Sequence, residues 1–420
     1  MLLSIALALV TLTTSFDVSG VHVILRKNDA NNVVAANLYL LGGARQVSAA
    51  NAGIEPILLD VSERGTQKYP KNVLRRAMSK LGREIVVAPS ADWTMVGIRS
   101  STEVFDSTWA IFADRVMHPL LAKSEVNLVK VQYLSGIRQR RDDPDELASY
   151  LADSITFSGH PYSISVVGNE NSIQAIDSAA LREYHRNQFV TSRMLLVVVG
   201  NVDRSHIEKL VAESIGQLPR GNYKWVEPPR VPELSTAVVV ERRQLPTNYI
   251  LGYYSGPLAS GPDYQALRVA TSVLTGRMFA EIRARQNLTY DVHAPFVDRA
   301  ATAGGLYVST VSPDTTLKLM HAAIVDLQTG LLDPIGLKQL EEQFITEYFL
   351  DNETNAAQAD FLARSQLYEG DYREAERFVD ELKSVTPEAV QRVARKYMKG
   401  LRFAYVGDPS KLNPRTISLF

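Results

Sequence analysis

The chain runs through one order of elements twice, and that repeat constrains its fold more than any single motif. In the first half, His22 to Leu25 and Val33 to Leu41 have the Val, Ile, Leu and Tyr content of strands, and Asn28-Asp29-Ala30-Asn31-Asn32 between them is a turn. A hairpin is the simple expectation. After Gly42-Gly43, the segment Ala52 to Arg64 has the apolar spacing of a helix, and helices dominate to Leu151. Asp177 then caps a helix start, and Met194 to Val199 is a strand ending at Gly200-Asn201. The second half offers Val238 to Arg242 and Tyr249 to Tyr254 as a strand pair, followed by Pro262-Asp263 and a helical run to Leu274. It closes with a helix opened by Thr386-Pro387 and a strand, Arg402 to Val406, whose Gly407-Asp408 ending mirrors Gly200-Asn201. Between the halves, Pro219, Gly221, Pro228, Pro229 and Pro232 suit an extended linker rather than a buried element. The expected fold is α+β, with two homologous halves over 18–217 and 237–420. Each is a mainly antiparallel sheet packed with helices, and the linker over 218–236 joins them.

At 420 residues the chain is too long for one compact core, which agrees with two units. Lys and Arg (45) nearly cancel Asp and Glu (46), and no basic stripe is interleaved with aromatics, so nucleic acid is not an expected partner. With no Cys, disulfides, thiolate nucleophiles and Cys-type zinc sites are excluded. Met1 to Leu12 is almost wholly apolar and uncharged, and Thr13-Thr14-Ser15 follows. That pattern suggests a signal peptide over residues 1–17 and an exported, periplasmic or otherwise extracytoplasmic protein. The first basic residue is Arg26, so the usual positive start is missing, and a buried first strand or a displaced start codon is the competing reading. No later stretch reaches the ~20 apolar residues of a spanning helix, so no membrane span is expected after the leader.

Three short segments carry a family resemblance: Gly42-Gly43-Ala44-Arg45, Ala52-Gly53-Ile54, and Arg64-Gly65-Thr66-Gln67-Lys68-Tyr69-Pro70. In this order they resemble the catalytic segment of the pitrilysin/insulinase family of zinc peptidases. In active members the helix between these landmarks carries His-x-x-Glu-His, whose two His, one turn apart, grip zinc while the Glu acts as general base. The resemblance puts those positions at Pro56, Leu59 and Asp60. It puts the third ligand, a Glu in active members, at Gly136, ahead of Ile137-Arg138-Gln139-Arg140-Arg141-Asp142-Asp143-Pro144. Zinc needs three or four converging donors, and only Asp60 among these four could give one. The seven His (22, 118, 160, 185, 206, 293 and 321) include no pair close enough to share a helix face. No metal or other cofactor is therefore expected in this chain.

A second segment, Gly276 to Val292 (GRMFAEIRARQNLTYDV), closely resembles the family's second-half signature. The resemblance assigns Arg283 and Tyr290 to contacts with the substrate backbone and its developing oxyanion. The residue types suit that task, since a guanidinium donates two fixed hydrogen bonds and a phenol can donate to an oxyanion without ionising. Taken without the resemblance, seven positions are two helical turns, and the pair reads as a helix-surface Arg with a half-buried Tyr. Leu195 to Asp203 and His160-Pro161-Tyr162 also fit the family pattern and read as structural.

The resemblance spans about Phe16 to the end and implies a half-clamshell that encloses unfolded peptide. It implies a non-catalytic subunit whose homologous partner brings His-x-x-Glu-His and zinc, while this chain presents Arg283 and Tyr290. No activity is expected of the chain alone. The competing reading is a structural or peptide-binding core subunit with no part in catalysis. A stand-alone hydrolase is disfavoured, because there is no Cys, no Gly-x-Ser-x-Gly elbow and no phosphate-binding loop with Lys.

Overall fold

The computed structural model describes residues 13–81 and 85–420. In the N-terminal half, strands β1 (Thr13–Val18), β2 (Val21–Lys27), β3 (Val33–Leu41), β4 (Ile85–Pro89), β5 (Trp93–Ser101) and β6 (Met194–Gly200) form one sheet in the order β1-β2-β6-β3-β5-β4. In the C-terminal half, β7 (Ala237–Arg242), β8 (Asn248–Leu258), β9 (Thr289–His293), β10 (Phe296–Val297), β11 (Ala301–Thr310) and β12 (Arg402–Gly407) form the second. Its order is β10-β11-β8-β12-β7, with β9 also paired to β11.

The expected hairpin of β2 and β3 does not form. Strand β6 lies between them, parallel to β2 (Ile24 opposite Val197) and antiparallel to β3 (Ala36 opposite Val198). All seven residues of β6 are buried, so the strand needs partners on both edges and cover on both faces. In the second half β12 likewise separates β7 from β8, parallel to the first (Ala404 opposite Val239) and antiparallel to the second (Ala404 opposite Leu251). The same late strand inserted in the same place is the duplication in three dimensions. Each sheet is mainly antiparallel with one parallel pairing, as expected of an α+β chain of two related halves.

The helices of the first half are α1 (Ile54–Ser62), α2 (Lys71–Leu81), α3 (Phe105–Met117), α4 (Lys123–Asp142), α5 (Pro144–Thr156), α6 (Glu170–Ala175), α7 (Ser178–Gln188) and α8 (Arg204–Ala212). Those of the second are α9 (Tyr264–Met278), α10 (Pro313–Thr329), α11 (Pro334–Asp351), α12 (Asn355–Tyr368), α13 (Glu374–Lys383) and α14 (Pro387–Tyr397). Most pack on the sheet of their own half, but two cross over. Helix α5 lies on β8 and β12, where Ala148 and Ala152 meet Leu251 and Ala404. Helix α12 lies on β3 and β6, where Ala359 and Ala363 meet Tyr39 and Val197. Small side chains at both crossings let helix and sheet approach closely. A buried carboxylate ties the halves as well: Asp92 accepts from the Tyr162 hydroxyl at 2.5 Å, the Tyr368 hydroxyl at 2.9 Å and the Ala300 N–H at 3.0 Å.

Residues 218–236 hold no helix or strand, but they are not the unburied linker expected, because Val231 and Leu234 are buried against the second sheet. Arg45 holds the same segment, donating to the Val226 carbonyl with its guanidinium 4.4 Å from the Trp225 ring centre. The leader assignment falls mostly on residues 1–12, outside the described residues. Its last part, Thr13 to Asp17, is in β1 and pairs with β2, which is the competing strand reading for that stretch. Among the described residues, no helix is long and apolar enough to cross a membrane.

Candidate functional site

The positions matching the family's zinc ligands converge on α1 and α4, which pack together. Pro56 and Leu59 are buried, and neither has a ligand atom. Asp60 is half-buried, and its Oδ2 accepts from the Tyr133 hydroxyl of α4 at 2.6 Å. Burial pushes the Asp60 carboxyl above its ordinary range, while the Tyr133 hydrogen bond and the nearby Arg115 and Arg64 pull the other way. Gly136, one helical turn beyond Tyr133, is exposed, and a Cβ added there would meet no atom within 4 Å. The place of the third ligand is thus open space beside an aspartate already engaged by a phenol.

Neighbouring charges are also committed to structure. Glu55 pairs with Arg193 at 2.7 Å and accepts from the Tyr184 hydroxyl at 2.9 Å, deep in the core. Arg115, fully buried, donates to the Leu59 carbonyl and to Ser62 Oγ, each at 3.2 Å, and so caps the end of α1. A guanidinium in this place adds positive charge where a metal site needs negative. Zinc does not fit these residues. Among the described residues, the one group of carboxylates with close ligand atoms is Glu369, Glu374 and Glu381, in the other half.

Arg283 and Tyr290 lie at the far end of α9. That helix widens into a π-helical turn over Phe279–Arg285, and Asn287 then takes a left-handed φ of 51°. The chain leaves that corner as β9, so the two-turn helical spacing is not realised: Arg283 is on a helix and Tyr290 on an edge strand. The Arg283 guanidinium carbon stands 4.8 Å from the Tyr290 ring centre and 5.0 Å from that of Phe279. A guanidinium held between two aromatic faces is fixed in plane while its N–H edge stays free. Among the described residues, neither the Arg283 guanidinium nor the Tyr290 hydroxyl has a hydrogen-bond or ion-pair partner, and Tyr290 is 83% exposed. Both present donors to the outside. Phe279 went unassigned in the sequence, although its spacing of four from Arg283 within a helical stretch is a usable signal.

No hydrogen bond or ion pair among the described residues joins this corner to α1 or α4. His160 is spent on packing: its Nε2 bonds the Pro229 carbonyl at 2.8 Å, its Nδ1 accepts from the Tyr162 N–H at 3.2 Å, and burial lowers its pKa.

Two duplicated sheet-and-helix halves, one with the matching ligand positions replaced and the other with an Arg/Tyr corner at its surface, define a peptidase-like chain that lacks His-x-x-Glu-His at those positions. The chain belongs to the insulinase peptidase family: residues 22–170 match the model described as "Insulinase (Peptidase family M16)", and residues 175–334 match "Peptidase M16 inactive domain". It is similar to the uncharacterized zinc protease YmxG of Bacillus subtilis, 21% identical over 388 residues, covering 90% of this chain and 93% of that one. It is similar as well to the mitochondrial-processing peptidase subunit beta of Blastocladiella emersonii, 22% identical over 90% of this chain and 84% of that one. Among solved structures, a peptidase M16 inactive domain from Pseudomonas fluorescens superposes with a TM-score of 0.87 at 19% identity, covering 94% of this chain and 98% of the other.

Proposed function

We propose that this chain is the non-catalytic subunit of a heterodimeric zinc peptidase and donates Arg283 and Tyr290 to the zinc site of a homologous partner carrying His-x-x-Glu-His. The observation that carries this reading is the contrast between the halves: Pro56, Leu59 and Gly136 have no ligand atoms, whereas half-buried Arg283 and exposed Tyr290 are adjacent and, among the described residues, without protein acceptors. His-x-x-Glu-His of the partner would hold the zinc, which would supply Lewis-acid chemistry at the scissile carbonyl and a bound water of lowered pKa. Arg283, held in plane by Phe279 and Tyr290, donates from its N–H edge to a carbonyl of an unfolded peptide. The Tyr290 hydroxyl donates to the oxygen on which charge develops. The similarity to a protein named as a peptidase subunit supports the two-chain arrangement. We also propose export from the cytoplasm, supported by the apolar Met1 to Leu12.

The test is isolation of the tagged chain from its own host under gentle conditions, with mass spectrometry of what accompanies it. A stoichiometric family member bearing His-x-x-Glu-His supports the split site. A chain that comes out alone, or with an unrelated assembly, removes that support and favours a structural or peptide-holding core subunit.

A further inference from the structure

Helix α4 presents Tyr133, Gly136, Ile137, Arg140 and Arg141 at the i, i+3, i+4, i+7, i+8 positions of one face. Two cavities meet beyond Gly136 on that face. One, of about 530 Å³, lies between the end of α4, the start of α6 and β7 of the other half, and includes Arg141, Glu170, Glu241 and Arg243. The other, of about 620 Å³, lies between the halves and reaches from Pro89 at the end of β4 to Arg299 and Tyr368. Arg140 and Tyr150 line both, so the two form one groove along the seam between α4 and α5.

The other arginines of the groove are paired. In the inter-half cavity, Arg299 meets Asp153 at 3.0 Å and Arg364 meets Asp298. In the smaller one, Arg141 and Glu170 are 3.6 Å apart and Arg243 and Glu241 3.4 Å apart. These are loose contacts, and Arg243 Nη2 instead donates to the Arg141 carbonyl at 3.1 Å. Arg140 has no carboxylate or carbonyl partner among the described residues, although it is half-buried where the cavities join. On the wall of the inter-half cavity Glu146 likewise has no cation partner, which disfavours an anion there. In the smaller cavity three guanidiniums face two carboxylates, and its floor of Ile137, Leu147 and Leu151 lowers the local dielectric.

We propose that this groove binds peptide by a carboxylate seated on Arg140 at the smaller cavity, with the preceding residues running through the inter-half cavity toward β4. A half-buried guanidinium with an unused N–H fork favours a planar carboxylate, which can take two parallel hydrogen bonds. That carboxylate comes from a free C-terminus or from an Asp or Glu side chain. The proposal rests on the reading of the chain as a peptide-enclosing subunit, but it concerns this chain's own wall rather than the partner's zinc.

The test is fluorescence anisotropy with the full chain alone and a short labelled unstructured peptide in three forms: free C-terminus, C-terminal amide, and amide with one internal Asp. The free-carboxylate peptide is expected to bind more tightly than the plain amide, and Arg140→Gln is expected to erase that preference, a loss of roughly tenfold to a hundredfold. Tight binding of the Asp-bearing amide assigns the site to acidic side chains, and its failure assigns it to the C-terminus. Equal affinity for all three peptides overturns the proposal, as does an Arg140→Gln variant of unchanged melting temperature that weakens carboxylate-bearing and plain amide peptides alike. Because no partner or turnover is involved, failure here is distinct from failure of the Arg283 and Tyr290 assignment.

Discussion

The Tyr133 hydroxyl donates to Asp60 Oδ2 at 2.6 Å, joining α1 to α4 at the place where active relatives are expected to hold zinc. Burial holds the Asp60 carboxyl above the ordinary aspartate range. The folded chain therefore binds that proton more tightly than the unfolded chain, and the stability linked to it is present at low pH. It is lost as pH rises from the unfolded to the folded pKa. Asp60→Asn keeps an acceptor for Tyr133 and removes the buried charge. The variant is expected to melt higher than the parent at neutral pH, with the gap closing as pH falls below the unfolded aspartate value. Thermal melts across that range check it.

Zinc is expected to bind substoichiometrically at most to the isolated chain, and Asp60→Asn is expected to leave any bound amount unchanged. Metal analysis after dialysis against zinc buffer reads this directly. One tightly held zinc per chain, lost in Asp60→Asn, contradicts the assignment of α1 and α4 as a vacated centre.

Glu369 faces Glu381 and Glu374, and burial followed by repulsion from Glu381 raises its pKa to about 7. The sign is the same as for Asp60: stability falls as pH rises from the unfolded value, near 4.5, to about 7. The residue keeps enough contact with solvent for screening to keep the effect small. Glu369→Gln is expected to stabilise modestly at pH 8 and not at pH 4, as read by urea midpoints.

Asp92 is 1% exposed and satisfies two phenols and one backbone N–H, two of these donors coming from the second half. Asp92→Ala strands those donors and is expected to cost about 3 kcal/mol or more. Because α5 and α12 also cross the seam, the loss is expected in one cooperative urea transition of the whole chain. Two separated transitions contradict the coupling of the halves.

Phe279 stacks on the Arg283 guanidinium at 5.0 Å without offering a polar group to a ligand. Phe279→Ala is expected to lower turnover of the complex about two- to fivefold, the kinetic equivalent of ~0.5–1 kcal/mol of lost stacking. That is well short of the effect of removing Arg283 itself.

The duplication was legible because both halves end in an apolar strand closed by Gly at 200 and 407, and a local pattern suffices to see that. Where those strands insert was not legible. The turn at Asn28 to Asn32 favours a local hairpin, and only the demand of β6 for two neighbours overrides it. The exchange of α5 and α12 is likewise a long-range choice, with small Ala faces that local periodicity does not assign to one sheet or the other. The missing ligands at Pro56, Leu59 and Gly136 can be read from residue type alone. The Arg283–Tyr290 contact cannot, because it depends on the π-helical turn and the left-handed Asn287, which convert a helical spacing into a helix-to-strand corner.

The split site is tested most directly by peptide turnover of the complex reconstituted from the partner and either the parent chain, Arg283→Ala or Tyr290→Phe. Each variant is expected to assemble normally and to lose roughly 10²–10³ in turnover, the usual consequence of removing one oxyanion donor. Unchanged kinetics in both variants contradict the role assigned to Arg283 and Tyr290 and leave the chain as a structural or peptide-holding subunit.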